Sequence, residues 1–346
     1  MNKQGDDGIA WTDWTLQLVR FRSKATGRAM NWCQKISPGC ASCYAERITR
    51  RFHGAQHSYT PSGRELVEPF LDRDALRELV TTRRRGMCFV EDMSDLFGEW
   101  VPDEWHDECF TAFAHSPLTI QVLTKRADRM RAYMTDPKTP LRVLAQRAMT
   151  RADCAIVGER VSQRWPLPNV RLGVSCEDQP RADERIPHLL ATPAAVRFVS
   201  LEPLLGPIEM SPYWMRGKCA EPSCGAYAAQ CECGAGLTRI DWAIIGGESG
   251  PKARPCDVAW VRSLRDQCRA AGVACFIKQL GSRAYDSEHL CGTWAPYDKR
   301  TPTKPDGDGG EMALGNLVLL KDGHGGDPAE WPDDLRVREL PEVTRG

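Results

Sequence analysis

Seven of the chain's fifteen cysteines fall into two groups, and their spacing is the strongest chemical signal in the sequence. Cys33, Cys40 and Cys43 lie within eleven residues, separated by gaps of six and two. Ser37-Pro38-Gly39 supplies turn chemistry between them, so one loop can fold the three sulfurs toward a common centre. Cys43 stands at the start of an expected helix over 44–52, whose free amides would favour a thiolate. No fourth cysteine or histidine follows at close range, since His53 and His57 lie beyond that helix. A closed structural zinc site takes four protein ligands. Three thiolates on a cubane iron–sulfur cluster instead leave one iron open to a small molecule. A cluster, zinc or another metal, and no metal at all are the three alternatives.

The second group, Cys219, Cys224, Cys231 and Cys233, lies within fifteen residues of a Gly- and Ala-rich stretch with little periodicity. Four thiols there suit a tetrahedral zinc ion, although gaps of four, six and one are not a standard ribbon. An auxiliary iron–sulfur cluster and a metal-free loop are the alternatives. Of the other eight cysteines, most are expected to be small buried apolar residues.

The elements that must position these groups are legible as short apolar runs: 87–90, 118–123, 170–174, 196–201, 242–245 and 273–277. Their length and near-continuous hydrophobicity suit strands buried on both faces. Helical periodicity falls between them. The clearest case is 258–271, with Val261, Leu264 and Cys268 on one face, Asp257 to cap its start and Gly272 to end it. Another is 102–115, where Trp105, Cys109 and Phe113 recur every four residues. After Asp178 the pattern is weaker, because Pro187 should interrupt a single helix. Strand alternating with helix argues for a parallel sheet, open or closed. Nearly every strand ends in a compact polar cluster, which favours a barrel whose site is built from strand ends. The stretch 211–238 reads as an insert, and 282–346 as an irregular extension that packs back through Trp331.

Several motifs together make the chain resemble the phage Gp37/Gp68 family (DUF5131), an offshoot of the radical S-adenosylmethionine superfamily. They are Trp11-Thr-Asp-Trp14, Ser37-Pro-Gly-Cys-Ala-Ser-Cys-Tyr-Ala-Glu46, Met93-Ser-Asp-Leu-Phe97, Leu123-Thr-Lys-Arg126, Ser200-Leu-Glu-Pro-Leu204 and Asp241-Trp-Ala-Ile-Ile-Gly-Gly-Glu-Ser-Gly250, with Lys278-Gln279 and Trp331-Pro332 at the end. The resemblance implies an α/β fold, a partial or complete parallel (β/α) barrel over 1–281 carrying the Cys-rich insert, with the extension packed on it. It implies a [4Fe–4S] cluster on Cys33, Cys40 and Cys43 whose open iron binds S-adenosylmethionine. Reductive cleavage then gives a 5′-deoxyadenosyl radical that abstracts a substrate hydrogen, with a flavodoxin- or ferredoxin-type protein as external one-electron reductant. The chain departs from the superfamily in its first cysteine gap, six residues instead of three, and in Ser42 where an aromatic is usual. By position at strand ends, Ser94, Asp95, Thr124, Lys125, Ser175, Glu177 and Glu202 are candidates to hold S-adenosylmethionine. The turn Gly246-Gly247-Glu248 could bring backbone amides to a ligand.

The phage setting implied by the resemblance points to isomerisation or another C–H abstraction on an amino-acid-modified thymine in DNA. Two other functions fit the sequence: a spore-photoproduct-lyase-like DNA repair enzyme, and a zinc-stabilised nucleic-acid-binding module without catalysis. With 46 basic and 46 acidic residues, no global field draws the protein to nucleic acid, so any such contact must be local. Arg47, Arg50 and Arg51, and the run Arg83-Arg84-Arg85, could supply it or could be solvated faces. The N-terminus lacks an apolar signal region and no run reaches the roughly 18 apolar residues of a membrane span. A cytoplasmic protein without a membrane partner is therefore expected.

Overall fold

The computed structural model describes residues 1–4, 8–148, 165–219, 237–288, 303–305, 311–313, 316–318 and 320–341. The chain forms two compact units, one of residues 1–174 with 187–197, the other of residues 175–186 with 198–346. Both are α/β, and most of their main-sheet strands run parallel.

In the first unit the main sheet is ordered β1 (Asn2–Lys3), β2 (Trp14–Leu16), β6 (Met87–Val90), β7 (Thr119–Thr124) and β8 (Val170–Ser175). Only β1 is antiparallel to its neighbour. All six residues of β8 are buried, as a strand covered on both faces requires. Between β2 and β6 the chain builds a second, antiparallel sheet from β3 (Val19–Ser23), β4 (Ala29–Met30) and β5 (Val67–Leu71). Helix α1 (Tyr44–His53), the short α2 (Pro61–Arg64) and α3 (Arg73–Thr81) accompany it. This small sheet was not apparent in the sequence. Helices α4 (Asp103–His115), α5 (Ala127–Thr135) and α6 (Thr139–Ala148) follow. Cys109 and Phe113 are fully buried on α4, as their spacing predicts.

The helix after Asp178, α7, runs unbroken from Gln179 to Leu190 with Pro187 inside it, contrary to the expected interruption. Proline removes one amide donor, but here it enters at the last turn. Buried Ile186, Leu189 and Leu190 hold that turn in place.

The second unit carries β9 (Val196–Leu201), β12 (Trp242–Gly246) and β14 (Ala274–Gln279), paired in parallel in that order. Small strands β10 (Lys218–Cys219) and β11 (Leu237–Thr238) form a separate ribbon, preceded by helix α8 (Pro212–Arg216). Strand β13 (Cys256–Asp257) leads into α9 (Val258–Ala271). The limits of α9 are those its caps predict. The Asp257 carboxylate accepts from the Ala259 amide at 3.0 Å, and Gly272 ends the helix in the left-handed conformation at φ 65°. The C-terminal segment packs against β14 and β12: the Ile277 amide donates to Val337 O, and Trp242 Nε1 to Glu339 O. Trp331 is buried, its Nε1 donating to Gly325 O at 3.0 Å. No helix among the described residues is long and apolar enough to cross a membrane.

The first unit is centred on an aromatic cluster. Trp32, fully buried, packs on Phe21, Tyr59 and Trp100 with ring centroids 5.3, 5.8 and 5.4 Å away. Its Nε1 donates to Ser58 O at 3.0 Å. Trp32→Ala should cost about 3–5 kcal/mol of stability, from lost burial and the cavity left behind. Trp32→Phe should cost less; urea unfolding of the two variants measures both.

Candidate functional site

Cys33, Cys40 and Cys43 are half-buried free thiols on the loop between β4 and α1. Both ends of that loop are braced. On the entering side, Thr49 Oγ1 donates to Asn31 O at 3.0 Å and Ser94 Oγ to Trp32 O at 2.9 Å. On the leaving side, the Tyr44 hydroxyl donates to Asp92 O. Glu46, buried beneath α1, accepts from the Tyr59 amide at 3.0 Å and pairs with Lys35 of the loop. Cys43 occupies the N-cap of α1, where the Ala45 and Glu46 amides favour its thiolate, although burial wins and raises the thiol. Burial also pushes the Cys33 thiol well up, reinforced by the Asp95 charge and opposed by Arg126. Cys40 and Cys43 lie near enough to Cys33 for their charges to act on it. The described residues contain no set of three or more His, Cys, Asp or Glu side chains drawn together as a finished metal site.

Above this loop sits Asp95, 4% exposed, which accepts four hydrogen bonds. Oδ1 takes Thr124 Oγ1 at 2.7 Å and the Phe97 amide at 3.0 Å. Oδ2 takes the Lys125 amide at 3.2 Å and Arg126 Nη1 at 3.0 Å. Arg126 is as deeply buried, its Nε on Glu99 at 2.8 Å and its guanidinium 4.9 Å from the Trp100 ring centroid. Burial works against that charge, but Asp95 and Glu99 hold it firmly protonated. Its third nitrogen, Nη2, is buried without a hydrogen-bond partner. The structure therefore joins the predicted residues Ser94, Asp95, Thr124 and Lys125 to the cysteine loop, and adds Arg126. The sequence places Arg126 at a strand end but gives no sign that its charge reaches Cys33.

Glu91, just after β6, has φ 66°, the only positive φ among the described non-glycine residues. Its carboxylate is 2% exposed and accepts the Leu18 and Val19 amides. Burial pushes its pKa up to about 8. The strand-end expectation passed over this residue because its carboxyl caps the entry to β3, through the Leu18 and Val19 amides, 73 and 72 residues away in sequence.

The remaining candidates lie in the second unit. Glu202 receives Ser200 Oγ at 3.2 Å and Lys278 Nζ at 3.2 Å. A Cβ at Gly246 would stand 2.6 Å from Glu202 Oε1, and one at Gly247 would stand 2.2 Å from Leu280 O. Both glycines thus serve close packing of β12 on its neighbours. Glu248 is engaged by Arg254 through Nε at 2.9 Å, Nη2 at 2.7 Å and the main-chain amide at 2.8 Å. Glu177, fully buried, pairs with Arg185 at 3.1 Å, and Arg185 also reaches Ser175 O at 2.7 Å. These two carboxylates are committed to the protein's own arginines, while Glu202 and Lys278 form the polar pair at the strand ends. Of the second cysteine group, Cys219 ends β10, while Cys224, Cys231 and Cys233 lie outside the described residues. Among the singly placed cysteines, Cys88, Cys109, Cys176, Cys256, Cys268 and Cys275 are buried as expected, and Cys154 and Cys291 lie outside the described residues.

A family model described as a protein of unknown function, DUF5131, matches residues 11–311. No curated protein and no solved structure matches the chain.

Removing the Asp95 carboxylate strands Arg126 with only Glu99. Asp95→Ala should therefore cost about 3–5 kcal/mol, against about 1 kcal/mol for Thr124→Val, both read by urea unfolding. For Glu91, the folded state holds a proton that the unfolded chain releases near pH 4.3, so this group's contribution to stability is fully present below about pH 4.3 and is lost as the pH rises toward 8. Wild-type stability measured from pH 5 to 8 should lose about 1 kcal/mol per pH unit from this group, and Glu91→Gln should flatten that loss. An equal slope in both proteins would refute the assignment.

Proposed function

The chain belongs to the DUF5131 family, and on that footing we propose that it is a radical S-adenosylmethionine enzyme of the phage Gp37/Gp68 type. The observation that carries this reading is the loop of three half-buried, unbridged thiols, braced at both ends and facing a buried guanidinium with one unmet donor. The donor set suits a [4Fe–4S] cluster: three sulfurs, no fourth ligand nearby in sequence, and at Cys33 and Cys43 thiols that burial keeps protonated unless a metal displaces the proton. Cys33, Cys40 and Cys43 would hold it, and once bound with S-adenosylmethionine it would supply a 5′-deoxyadenosyl radical for hydrogen abstraction.

The chain's own residues then have defined tasks. The α1 amides at Ala45 and Glu46 offset negative charge on Cys43. Arg126 does the same for Cys33 and keeps Nη2 to donate to an anionic atom beside it. Asp95 orients Arg126 and fixes the end of β7. Trp32, next to Cys33, packs with Tyr59 and Trp100 into an apolar wall at the entry to the loop. The substrate class is a modified pyrimidine in DNA, rearranged after hydrogen abstraction, with an external one-electron reductant. Exposed Arg47, Arg50 and Arg51 on α1, directly after Cys43, are the local cations such a substrate would use.

Anaerobic reconstitution with iron and sulfide should yield a brown, oxygen-sensitive protein that releases 5′-deoxyadenosine when given dithionite and S-adenosylmethionine. The Cys33/Cys40/Cys43→Ala triple variant should lose both properties. Wild-type protein that binds stoichiometric zinc on these sulfurs through four protein ligands, or that binds iron yet never cleaves S-adenosylmethionine, would sink the proposal.

A further inference from the structure

Helix α1 buries Ala45, Glu46 and Thr49 on one face. On its other side Tyr44, Ile48 and Phe52 recur every four residues and are 44%, 43% and 64% exposed. That spacing sets them in one ridge about 12 Å long. Ile36, in the cysteine loop, is 39% exposed as well. Nine large apolar side chains are exposed among the described residues, and these four fall within residues 36–52. The exposure is thus concentrated beside the three cysteines instead of scattered, as a recognition surface requires. The Tyr44 hydroxyl, donating to Asp92 O, holds the start of the ridge in place.

Cations flank the ridge. Arg47 and Arg51 follow Tyr44 and Ile48 by three residues, which makes them neighbours along the helix surface. The Arg51 guanidinium stands 5.5 Å from the Phe52 ring centroid. Arg50 is exposed too. None of the three arginines is paired with a carboxylate among the described residues. Between residues 33 and 53 the one carboxylate is Glu46, which is buried and paired with Lys35. An apolar centre with a cationic rim is the composition of a protein-docking surface, where aromatic rings and arginines are the usual anchors. Its charge selects an acidic partner. A phosphate backbone would also answer the arginines, but Ile48 stands between the two rings and offers a base nothing to stack on. A protein meets the whole surface better.

We propose that the exposed face of α1 is the docking surface for an acidic electron-donor protein, with Tyr44, Ile48 and Phe52 as its apolar centre and Arg47, Arg50 and Arg51 as its rim. The partner's identity rests on the radical reading above, which calls for a one-electron donor. Its place rests on the helix: α1 starts at the residue after Cys43, so a protein seated on its first turns lies beside the cysteine loop. Redox encounters are small, under about 1,200 Å² in total, and a ridge this short can serve one. Docking makes and breaks no covalent bond.

Isothermal titration of the full chain with oxidised flavodoxin tests the docking directly. Binding should be saturable and should weaken as ionic strength rises from about 0.05 to about 0.5 M. The Ile48→Asp/Phe52→Asp double variant, altered only at exposed positions and checked for an unchanged melting curve, should weaken it about tenfold or more. After anaerobic reconstitution, 5′-deoxyadenosine release driven by limiting reduced flavodoxin should fall by a similar factor in this variant. Release driven by dithionite, which needs no docking, should be unchanged. No saturable flavodoxin binding, equal binding by the double variant, or indifference to salt would overturn the assignment. So would an oligothymidylate whose binding the double variant loses, which would give the ridge to DNA, or a wild-type dimer that the double variant disperses, which would give it to a second copy. Absence of dithionite-driven release in the wild type would sink the radical reading instead, and the titration alone would then decide the docking.

Discussion

The Asp95 carboxylate is the interaction on which the first unit's polar architecture depends. One buried group closes the loop after β6, fixes the end of β7 and neutralises Arg126. A buried carboxylate is costly unless its oxygens are met, and here each oxygen accepts two donors. Its charge also bears on Cys33, where it opposes the thiolate that Arg126 favours. The electrostatic character of the cysteine loop is therefore set by a pair of opposite charges in its wall. Neither member can be changed without exposing the loop to the other.

Much of the fold was legible in the sequence because its signals were local. Runs such as 87–90 and 196–201 became strands with those limits, since continuous apolar burial leaves few alternatives for short β-rich segments. Helix α9 began and ended where Asp257 and Gly272 could cap it. What escaped depended on partners far apart in the chain. The β3–β5 sheet has polar edges and alternating burial too short to stand out, and it is fixed by pairing Val19–Ser23 with Val67–Leu71. The continuity of α7 through Pro187 rests on buried neighbours that a propensity argument does not see.

The site divides along the same line. Types and spacing singled out the three cysteines, and strand ends singled out Asp95 and Thr124. Glu248 and Glu177 occupy equally suggestive positions yet spend their charge on Arg254 and Arg185, partners six and eight residues away. Sequence reveals where a carboxylate stands; it does not reveal which arginine has already claimed it. Glu202 differs because its cationic neighbour, Lys278, comes from another strand end.

The bracing of the cysteine loop distributes evolutionary freedom unevenly. Asn31, Trp32, Ser58 and Asp92 enter it through carbonyl oxygens, which any amino acid would offer in the same place. Thr49, Ser94 and Tyr44 enter through side-chain hydroxyls, and Trp32 a second time through its indole nitrogen. Drift at 31, 58 and 92 leaves these bonds intact, whereas drift at the four donors does not. Within the segment between Cys33 and Cys40, Lys35 adds one anchor of each kind, its amide donating to Tyr59 O and its ammonium pairing with Glu46.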